Sequence, residues 1–187
     1  MSNLSHPDTY TVDIAGVKRH LRLFEVAPGL QIAVLNILGD TEFVRVSARE
    51  LAKKLSTLDY DVLVTAEAKS IPLVHVLAEE AQKPYVVLRK SYKPYMGNCI
   101  SAETLSITTG KPQTLFLDEK DYPLIHNMRV ILVDDVISTG STLDGMKKVV
   151  EIAGGNIVSQ AAIFTEGDDP SAKKHVIALG NLPLFKI

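Results

Sequence analysis

The segment Val130–Leu143, VILVDDVISTGSTL, constrains the fold more than any other stretch of the chain. Its four leading apolar residues predict a short buried strand. Two adjacent acids, Asp134 and Asp135, follow at the point where this strand is expected to leave the sheet. The loop of Ser, Thr and Gly then opens a predicted helix, STLDGMKKVVEIAGG, which Gly154 and Gly155 end. A buried strand that runs into a helix in this way is typical of an α/β protein.

The same alternation of strand and helix recurs along most of the chain. Short apolar strands are predicted at VLV, PYVVLRK, RVILVDD, NIVSQAAIFTEG and HVIALG, with a helix at IPLVHVLAEEAQ. A second helix is predicted from Ser47, where Ser47 and Glu50 have the spacing of a capping box. This order predicts a parallel twisted sheet with helices on both faces, which binds ligands beyond the carboxyl ends of its strands. Two short strands turning near Gly16 precede it, and CISAETLSITTG with PQTLFLDE predicts a hairpin.

Size and composition exclude several classes of protein. With 187 residues the chain is most simply one domain, and its net charge of −2 argues against a strongly basic nucleic-acid surface. Its single cysteine, Cys99, excludes an internal disulfide. No apolar run approaches the roughly 20 residues that cross a bilayer, and the N-terminus lacks the pattern of a secretory signal. We therefore expect a cytoplasmic protein that binds neither nucleic acid nor a membrane.

The acid pair and the loop after it predict a ligand that is both a sugar and an anion. Asp134 and Asp135 repel one another unless a cation or hydroxyl donors offset their charges, and a sugar diol with Mg²⁺ held mostly through water would do so. The amide groups at the start of the next helix favour a phosphate, and Gly140 allows close approach. A ribose 5-phosphate fits both features. Acidic strand ends and Ser/Thr caps also occur without any ligand, which is the alternative.

The segment resembles the phosphoribosyl-pyrophosphate (PRPP) signature of the type I phosphoribosyltransferases. That signature has four apolar residues, two acids, two apolar residues, a variable position and then Thr-Gly with small residues, and VILVDDVISTGST matches it throughout. The resemblance implies the type I phosphoribosyltransferase fold, an enzyme that uses Mg²⁺, and a homodimer. It implies that PRPP contacts Asp134, Asp135, Ser138, Thr139, Gly140, Ser141 and Thr142, with Asp134 and Asp135 also catalytic and holding the metal mostly through water and PRPP.

Two further loops resemble the loops that lie near the pyrophosphate in this family. In TAEAKSIP the resemblance implies that Ala68, Lys69 and Ser70 bind PRPP, with a cis peptide bond at Ala68–Lys69, although the family often has Gly at the position of Ser70. In LRKSYKPY it implies that Arg89, Lys90 and Lys93 lie near the pyrophosphate leaving group, with Lys90 catalytic, ahead of a mobile hairpin. The alternative is that these lysines are solvated loop residues.

The chain resembles the purine branch of the family best. This resemblance implies that the chain has two parts. Residues 1–45 would form a hood over the base, and residues 46–187 the phosphoribosyltransferase core. Leu35 and Asn36, in AVLNILGD, and Phe164 and Glu166, in IFTEG, are the predicted base-binding residues. Asn36 in an ordinary turn and Phe164 in the core are the alternatives.

The identity of the base is the least determined part of the prediction. Ser138 stands where hypoxanthine-guanine enzymes carry an aspartate, and Thr108 stands where adenine enzymes often carry a glutamate. Adenine is favoured slightly over xanthine or another 6-oxopurine. A PRPP-sensing regulator with the same fold, and an enzyme for orotate or uracil, are the remaining alternatives.

Overall fold

A computed structural model describes residues 9–105, 112–169 and 173–186 of the chain. The helices are α1 (Thr41–Leu55), α2 (Ile71–Ala81) and α3 (Ser141–Ile152), and two 3₁₀ turns lie at Pro94–Met96 and Glu119–Leu124. The strands are β1 (Thr9–Ile14), β2 (Val17–Ala27), β3 (Leu30–Ala33), β4 (Val62–Ala66), β5 (Tyr85–Leu88), β6 (Ile100–Leu105), β7 (Pro112–Leu117), β8 (Arg129–Ile137), β9 (Asn156–Glu166), β10 (Val176–Leu182) and β11 (Phe185–Lys186).

A five-stranded sheet in the order β10-β9-β8-β4-β5 forms the centre of the molecule. Every neighbouring pair in it is parallel. Helices α1 and α2 cover one face, where Phe43, Leu51 and Leu77 are fully buried. Helix α3 covers the other face through Met146 and Val149, together with the hairpin β6–β7. The predicted α/β fold with helices on both faces is confirmed.

A second, antiparallel sheet, the hood sheet, has the order β1-β2-β3-β11 and contains the strands of the segment predicted to form the hood. Its inner face presents Val12, Ile14 and Leu21 to the core. The last strand, β11, comes from the other end of the chain, where Phe185 pairs with Gln31 of β3. The hood sheet is therefore built from both ends of the chain, and the sequence analysis did not predict β11.

Helix α1 begins earlier than the capping-box pattern predicts. It starts at Thr41, and the side chain of Asp40 accepts a hydrogen bond from the Phe43 amide at 3.1 Å. Ser47, the predicted N-cap, lies inside the helix with its hydroxyl buried. The prediction was wrong because a Ser and a Glu three residues apart also occur within a helix, where Ser47 faces the core and Glu50 pairs with Lys53.

The remaining element predictions are confirmed within small shifts. Helix α2 carries Pro72 in its first turn and ends at Gln82 in a left-handed conformation. The strands β6 and β7 pair as the predicted hairpin, and the residues between them lie outside the described residues. Within the described residues, no helix is long and apolar enough to cross a membrane.

Candidate active site

The site opens between β4 and β8, where the two halves of the central sheet diverge. The chain leaves β4 through α2 toward β5, but it leaves β8 through α3 toward β9 on the opposite side. Pairing of β4 with β8 ends at Val64 and Leu132, although β8 continues beside β9 to Ile137. Such a switch point leaves a crevice at the carboxyl edge of the sheet. Asp134 and Asp135 lie in this stretch of β8, beyond the last residue paired with β4.

The loop after β4 meets the acid pair through two side chains. The Ser70 hydroxyl donates to Asp134 Oδ1 at 2.7 Å and accepts from the Asp135 amide at 3.0 Å. Lys69 Nζ lies 2.8 Å from Asp135 Oδ2 and donates to the Leu35 carbonyl at 3.0 Å. The structure therefore joins four of the predicted site residues and links them to the hood. Ser70, at the position where the family often has Gly, is 2% exposed and holds the loop against both acids.

The two acids differ in their surroundings. Burial raises the pKa of Asp134 to about 7, and the neighbouring Asp135 carboxylate adds to the rise. Asp135 is buried, and its Oδ2 atom has the Lys69 ammonium beside it but no aligned hydrogen bond from the described residues. A pair of adjacent carboxylates, in which Asp134 is half-buried and Asp135 is buried with one weakly satisfied oxygen, is suited to accept donors from a ligand.

Residues 138–142 form the predicted phosphate-binding loop at the start of α3. A small cavity of about 50 Å³ is lined by Asp134, Val136, Ile137, Ser138, Thr139, Gly140, Ser141, Thr142 and Leu143. Gly140 has φ +82°, and no side chain of the described residues caps the first turn of α3. The free amides of a helix start and the hydroxyls around them are a site for an anion. The structure thus places all five loop residues around one cavity beside Asp134.

A residue that the sequence analysis missed, Glu67, holds the Arg89 side chain and the Lys90 main chain at the predicted pyrophosphate end. Glu67 accepts from Arg89 Nε at 2.6 Å and from the Lys90 amide at 2.5 Å. The Lys90 side chain is exposed, and Lys93 lies exposed in the next loop, where its amide contacts Met96 Sδ at 3.3 Å. The sequence offered one signal for Glu67. It places a glutamate directly after one strand and an Arg-Lys pair directly after the next strand.

The cis peptide bond lies one residue earlier than predicted. It joins Glu67 and Ala68 rather than Ala68 and Lys69. The prediction was wrong because the spacing of loop residues does not determine which of two adjacent peptide bonds is cis. Ala68 itself is exposed at the crevice.

Two of the four predicted base-binding residues border a cavity in the hood. The cavity measures about 430 Å³ and is lined by Arg19, His20, Leu21, Arg22, Phe24, Val34, Leu35, Asn36 and Asp40. Asn36 is exposed, and its Oδ1 accepts from the Leu38 amide at 3.2 Å, so its amide nitrogen is the group left for a ligand. Leu35 is buried and reaches the crevice through its carbonyl, which Lys69 holds.

The other two base-binding predictions lie at the end of β9. Phe164 is 4% exposed and packs against Gly180, where an added Cβ would come within 3.1 Å of its ring. This arrangement favours the alternative of core packing. Glu166 is half-buried and lies near the Ser138 side chain. Burial raises the pKa of Glu166, and the charges of Lys173 and Lys69 reduce that rise.

The residues present fit a magnesium ion only if the ligand supplies most of its coordination. Asp134 and Asp135 are hard oxygen donors, and Asp135 Oδ2 lacks a hydrogen bond from the described residues. The described part of the chain contains no group of three or more His, Cys, Asp or Glu placed to hold a metal. Two carboxylates with water and phosphate oxygens are the usual environment of Mg²⁺ at a nucleotide site.

Comparison with known proteins supports this interpretation of the crevice. Residues 35–180 match the model of the phosphoribosyl transferase domain. An adenine phosphoribosyltransferase of Thermosipho africanus is 31% identical over 130 residues, or 68% of this chain and 72% of that protein. A hypoxanthine/guanine phosphoribosyltransferase of Methanococcus voltae is 29% identical over 162 residues, or 87% and 79% of the two chains.

One further relative is a regulator, and a solved structure shares the fold. The purine biosynthesis transcriptional repressor PurR of Bacillus subtilis is 26% identical over 145 residues; these are 77% of this chain but 50% of the repressor. The crystal structure of adenine phosphoribosyltransferase from Thermoanaerobacter pseudethanolicus superimposes with a TM-score of 0.69 at 22% identity, covering 86% of this chain and 95% of that one. The chain therefore belongs to the phosphoribosyl transferase family, as its signature predicted, and is a phosphoribosyltransferase related to the purine enzymes.

Proposed function

We propose that the protein transfers ribose 5-phosphate from PRPP to a purine base, adenine in preference, and releases pyrophosphate. The observation that supports this proposal best is the direct contact of Lys69 and Ser70 with Asp134 and Asp135, beside the phosphate-binding loop. A diol site, an anion site and a cation thereby lie along one crevice. This sequence of groups matches the ribose hydroxyls, the 5-phosphate and the pyrophosphate of PRPP.

In this proposal the chain orients PRPP and stabilises charge, without a covalent intermediate. Ser138 to Thr142 bind the 5-phosphate, and Asp134 and Asp135 accept hydrogen bonds from the ribose diol. The bond from C1 of the ribose to pyrophosphate breaks, and its electron pair leaves with the pyrophosphate oxygen. A nitrogen of the base forms the new bond to C1, and the ring proton that the base loses is released with the pyrophosphate. Lys69, Arg89 and Lys90 stabilise the negative charge that develops on the leaving group.

Two further parts of the proposal concern the metal and water. Mg²⁺, when bound with PRPP, supplies positive charge at the diol and pyrophosphate oxygens, and Asp134 and Asp135 would hold it mostly through water. The hairpin β6–β7 would close over the site and exclude water from the reacting carbon. Thr108, at the position where adenine enzymes often carry a glutamate, lies outside the described residues.

The proposal of adenine rests on two observations. Ser138 stands where hypoxanthine-guanine enzymes carry an aspartate, and adenine phosphoribosyltransferases are among the relatives. Ser138 has no carboxylate, and its side chain lies near Glu166. The amide nitrogen of Asn36 is a donor that fits a ring nitrogen of adenine or the oxygen of a 6-oxopurine equally well. Relatives of both kinds match at 29% to 31% identity, so a 6-oxopurine enzyme is the second candidate.

A panel of bases tests this proposal. Adenine, hypoxanthine, guanine, xanthine, orotate and uracil are each incubated with PRPP and Mg²⁺, and pyrophosphate release is measured. We expect the highest kcat/KM with adenine. A higher value with hypoxanthine, guanine or xanthine would assign the protein to the 6-oxopurine enzymes, and turnover of orotate or uracil alone would contradict the purine assignment.

A PRPP-sensing regulator is the candidate from a different functional class. The similarity to the PurR repressor favours it, although this chain spans only half the length of that protein. Tight PRPP binding without turnover of any base would support the regulator and contradict the enzyme. The homodimer stays a prediction, which light scattering of the purified protein in solution would check.

A further inference from the structure

Glu67 lies at the junction of the two loops that form the pyrophosphate end of the crevice. Its Oε2 atom accepts from Arg89 Nε at 2.6 Å, and its Oε1 atom accepts from the Lys90 amide at 2.5 Å. Its own amide donates to the Leu88 carbonyl at 2.9 Å. One residue after β4 therefore contacts three successive residues at the end of β5, through its main chain and both carboxylate oxygens.

These contacts extend to the hairpin on one side and to the acid pair on the other. Arg89 exchanges two main-chain hydrogen bonds with Phe116 of β7, at 2.9 and 2.8 Å. On the other side, Lys69 follows Glu67 by two residues and pairs with Asp135. A displacement of the Glu67 carboxylate would therefore change the positions of residues in both cationic loops and at the base of the hairpin.

The Glu67 carboxylate is partly shielded from water and charged. Its side chain is 17% exposed, against 35% for Arg89. Burial acts to raise the pKa of Glu67, but the hydrogen bonds from the Lys90 amide and the Arg89 guanidinium outweigh it and lower the pKa overall. The carboxylate is ionised at neutral pH and accepts both hydrogen bonds in its charged form, the stronger kind.

We infer that Glu67 is a positioning residue, which holds the Arg89 side chain and the Lys90 main chain in the places where they meet the pyrophosphate of PRPP. Glu67 is itself an anion and does not bind pyrophosphate; it acts through its two neighbours. Arg89 Nε is engaged by Glu67 and Nη1 lies 3.4 Å from the Tyr95 hydroxyl, while no described residue hydrogen-bonds Nη2. The guanidinium is thereby oriented with one donor nitrogen left for the ligand. This inference rests on the proposed function.

The test compares PRPP with ribose 5-phosphate, which lacks the pyrophosphate. Glu67→Gln keeps the shape of the side chain, but one terminal atom becomes a donor that faces Arg89 Nε or the Lys90 amide. Since a hydrogen bond to a charged group contributes about 1.5–3 kcal/mol, we expect the Kd of PRPP with Mg²⁺ to rise by about tenfold or more. The Kd of ribose 5-phosphate, which meets only Asp134, Asp135 and the phosphate-binding loop, should stay within about twofold.

Calorimetric titration with the two ligands measures both constants, and two further variants control the result. Glu80→Gln removes a comparable pair, Arg49 Nε with Glu80 Oε1 at 2.9 Å, on the outer surface of α1 and α2, and should change neither constant. Glu67→Asp keeps the charge with a shorter reach, so it should recover part of the PRPP affinity. If Glu67→Gln does not fold, Glu67→Asp replaces it in the same two titrations.

A double-mutant cycle separates positioning from a purely structural role. If Glu67 acts through Arg89, the losses of PRPP affinity in Glu67→Gln and Arg89→Gln will be strongly non-additive. Equal weakening of PRPP and ribose 5-phosphate, or no change for either, would overturn the inference while the proposed function stands. Failure of the unaltered protein to bind PRPP would instead overturn the proposed function, and the inference with it.

Discussion

Glu166, one of the predicted base-binding residues, has a carboxyl group whose charged form is disfavoured by burial. Burial raises its pKa above the ordinary 4.5, despite the nearby ammonium groups of Lys173 and Lys69. The folded state therefore binds this proton more tightly than the unfolded state does. Its contribution to stability is favourable at low pH, and it is lost as the pH rises from the ordinary value through the raised one.

Replacing Glu166 by Gln should remove this dependence on pH. Relative to the unaltered protein, Glu166→Gln should gain stability at pH 8 and lose that advantage as the pH is lowered toward 5. Thermal unfolding of the ligand-free protein at several pH values measures the difference. Glu151→Gln, at an exposed position of α3, is the matched control and should follow the unaltered protein. A constant offset between Glu166→Gln and the unaltered protein at all pH values would contradict the prediction.

Among the site residues, the sequence revealed those whose role depends on residue type and spacing. Asp134, Asp135 and Gly140 were predicted because they occur in the order and spacing of the PRPP signature, a pattern that lies within one short segment of the chain. Glu67 was missed because its partners, Arg89 and Lys90, lie in a different loop and meet it only through the fold. The contact of Ser70 with both acids depends on the same long-range geometry and could not be read from neighbouring residues.

The start of α1 provides a direct comparison between two capping candidates. Asp40 accepts from the Phe43 amide at 3.1 Å and from Arg19 Nε at 2.6 Å, and the Arg19 hydrogen bond, together with the Phe43 amide, outweighs burial and lowers the pKa of Asp40. Asp40→Ala should cost about 1–2 kcal/mol, because it removes an N-cap and a partly exposed ion pair. Ser47→Ala should be neutral or slightly stabilising, because the buried hydroxyl has no hydrogen-bond partner among the described residues.

Urea unfolding of both variants checks this comparison. A larger loss of unfolding free energy in Ser47→Ala than in Asp40→Ala would mean that Ser47 caps the helix, as the capping-box pattern predicted. The sequence indicated where helices and strands exist because apolar spacing carries that information. It did not fix their ends, because a cap depends on one hydrogen bond that several nearby residues could supply.

The phosphate-binding loop depends on a backbone conformation that only glycine adopts without strain. Gly140 has φ +82°, and an added Cβ there would meet no atom within 4 Å. Gly16, in the turn between β1 and β2, has φ +86° and is equally open. Replacing either by Ala should cost about 1–2 kcal/mol of stability through backbone strain alone.

Only one of these two substitutions should affect ligand binding. Gly140→Ala should weaken ribose 5-phosphate binding several-fold, because the amides around residue 140 would shift, whereas Gly16→Ala should leave it unchanged. Thermal unfolding and calorimetric titration of both variants give the two readouts. Equal affinities in the two variants would show that the loop does not bind the phosphate.

At the scale of the whole molecule, both ends of the chain contribute strands to the hood sheet. Phe185 of β11 pairs with Gln31 of β3, and its ring lies edge-on to Tyr10 of β1 with centroids 5.3 Å apart. A strand of two residues that pairs across most of the chain leaves no periodic signal, so sequence patterns could not predict it. The proposed cover of the base therefore includes the carboxyl-terminal strand, whereas the residues predicted to bind PRPP lie in the core.

Phe185→Ala should therefore separate the two substrates. We expect it to cost about 1–2 kcal/mol of stability, less than a fully buried Phe would, and to raise the KM of the base several-fold. The Kd of PRPP should stay unchanged, because the residues predicted to bind it lie in the core. Lys186→Ala, whose side chain is 79% exposed, is the matched control for steady-state kinetics and PRPP titration. If Phe185→Ala weakened PRPP and base equally, the hood sheet would be a support for the whole crevice rather than a cover for the base alone.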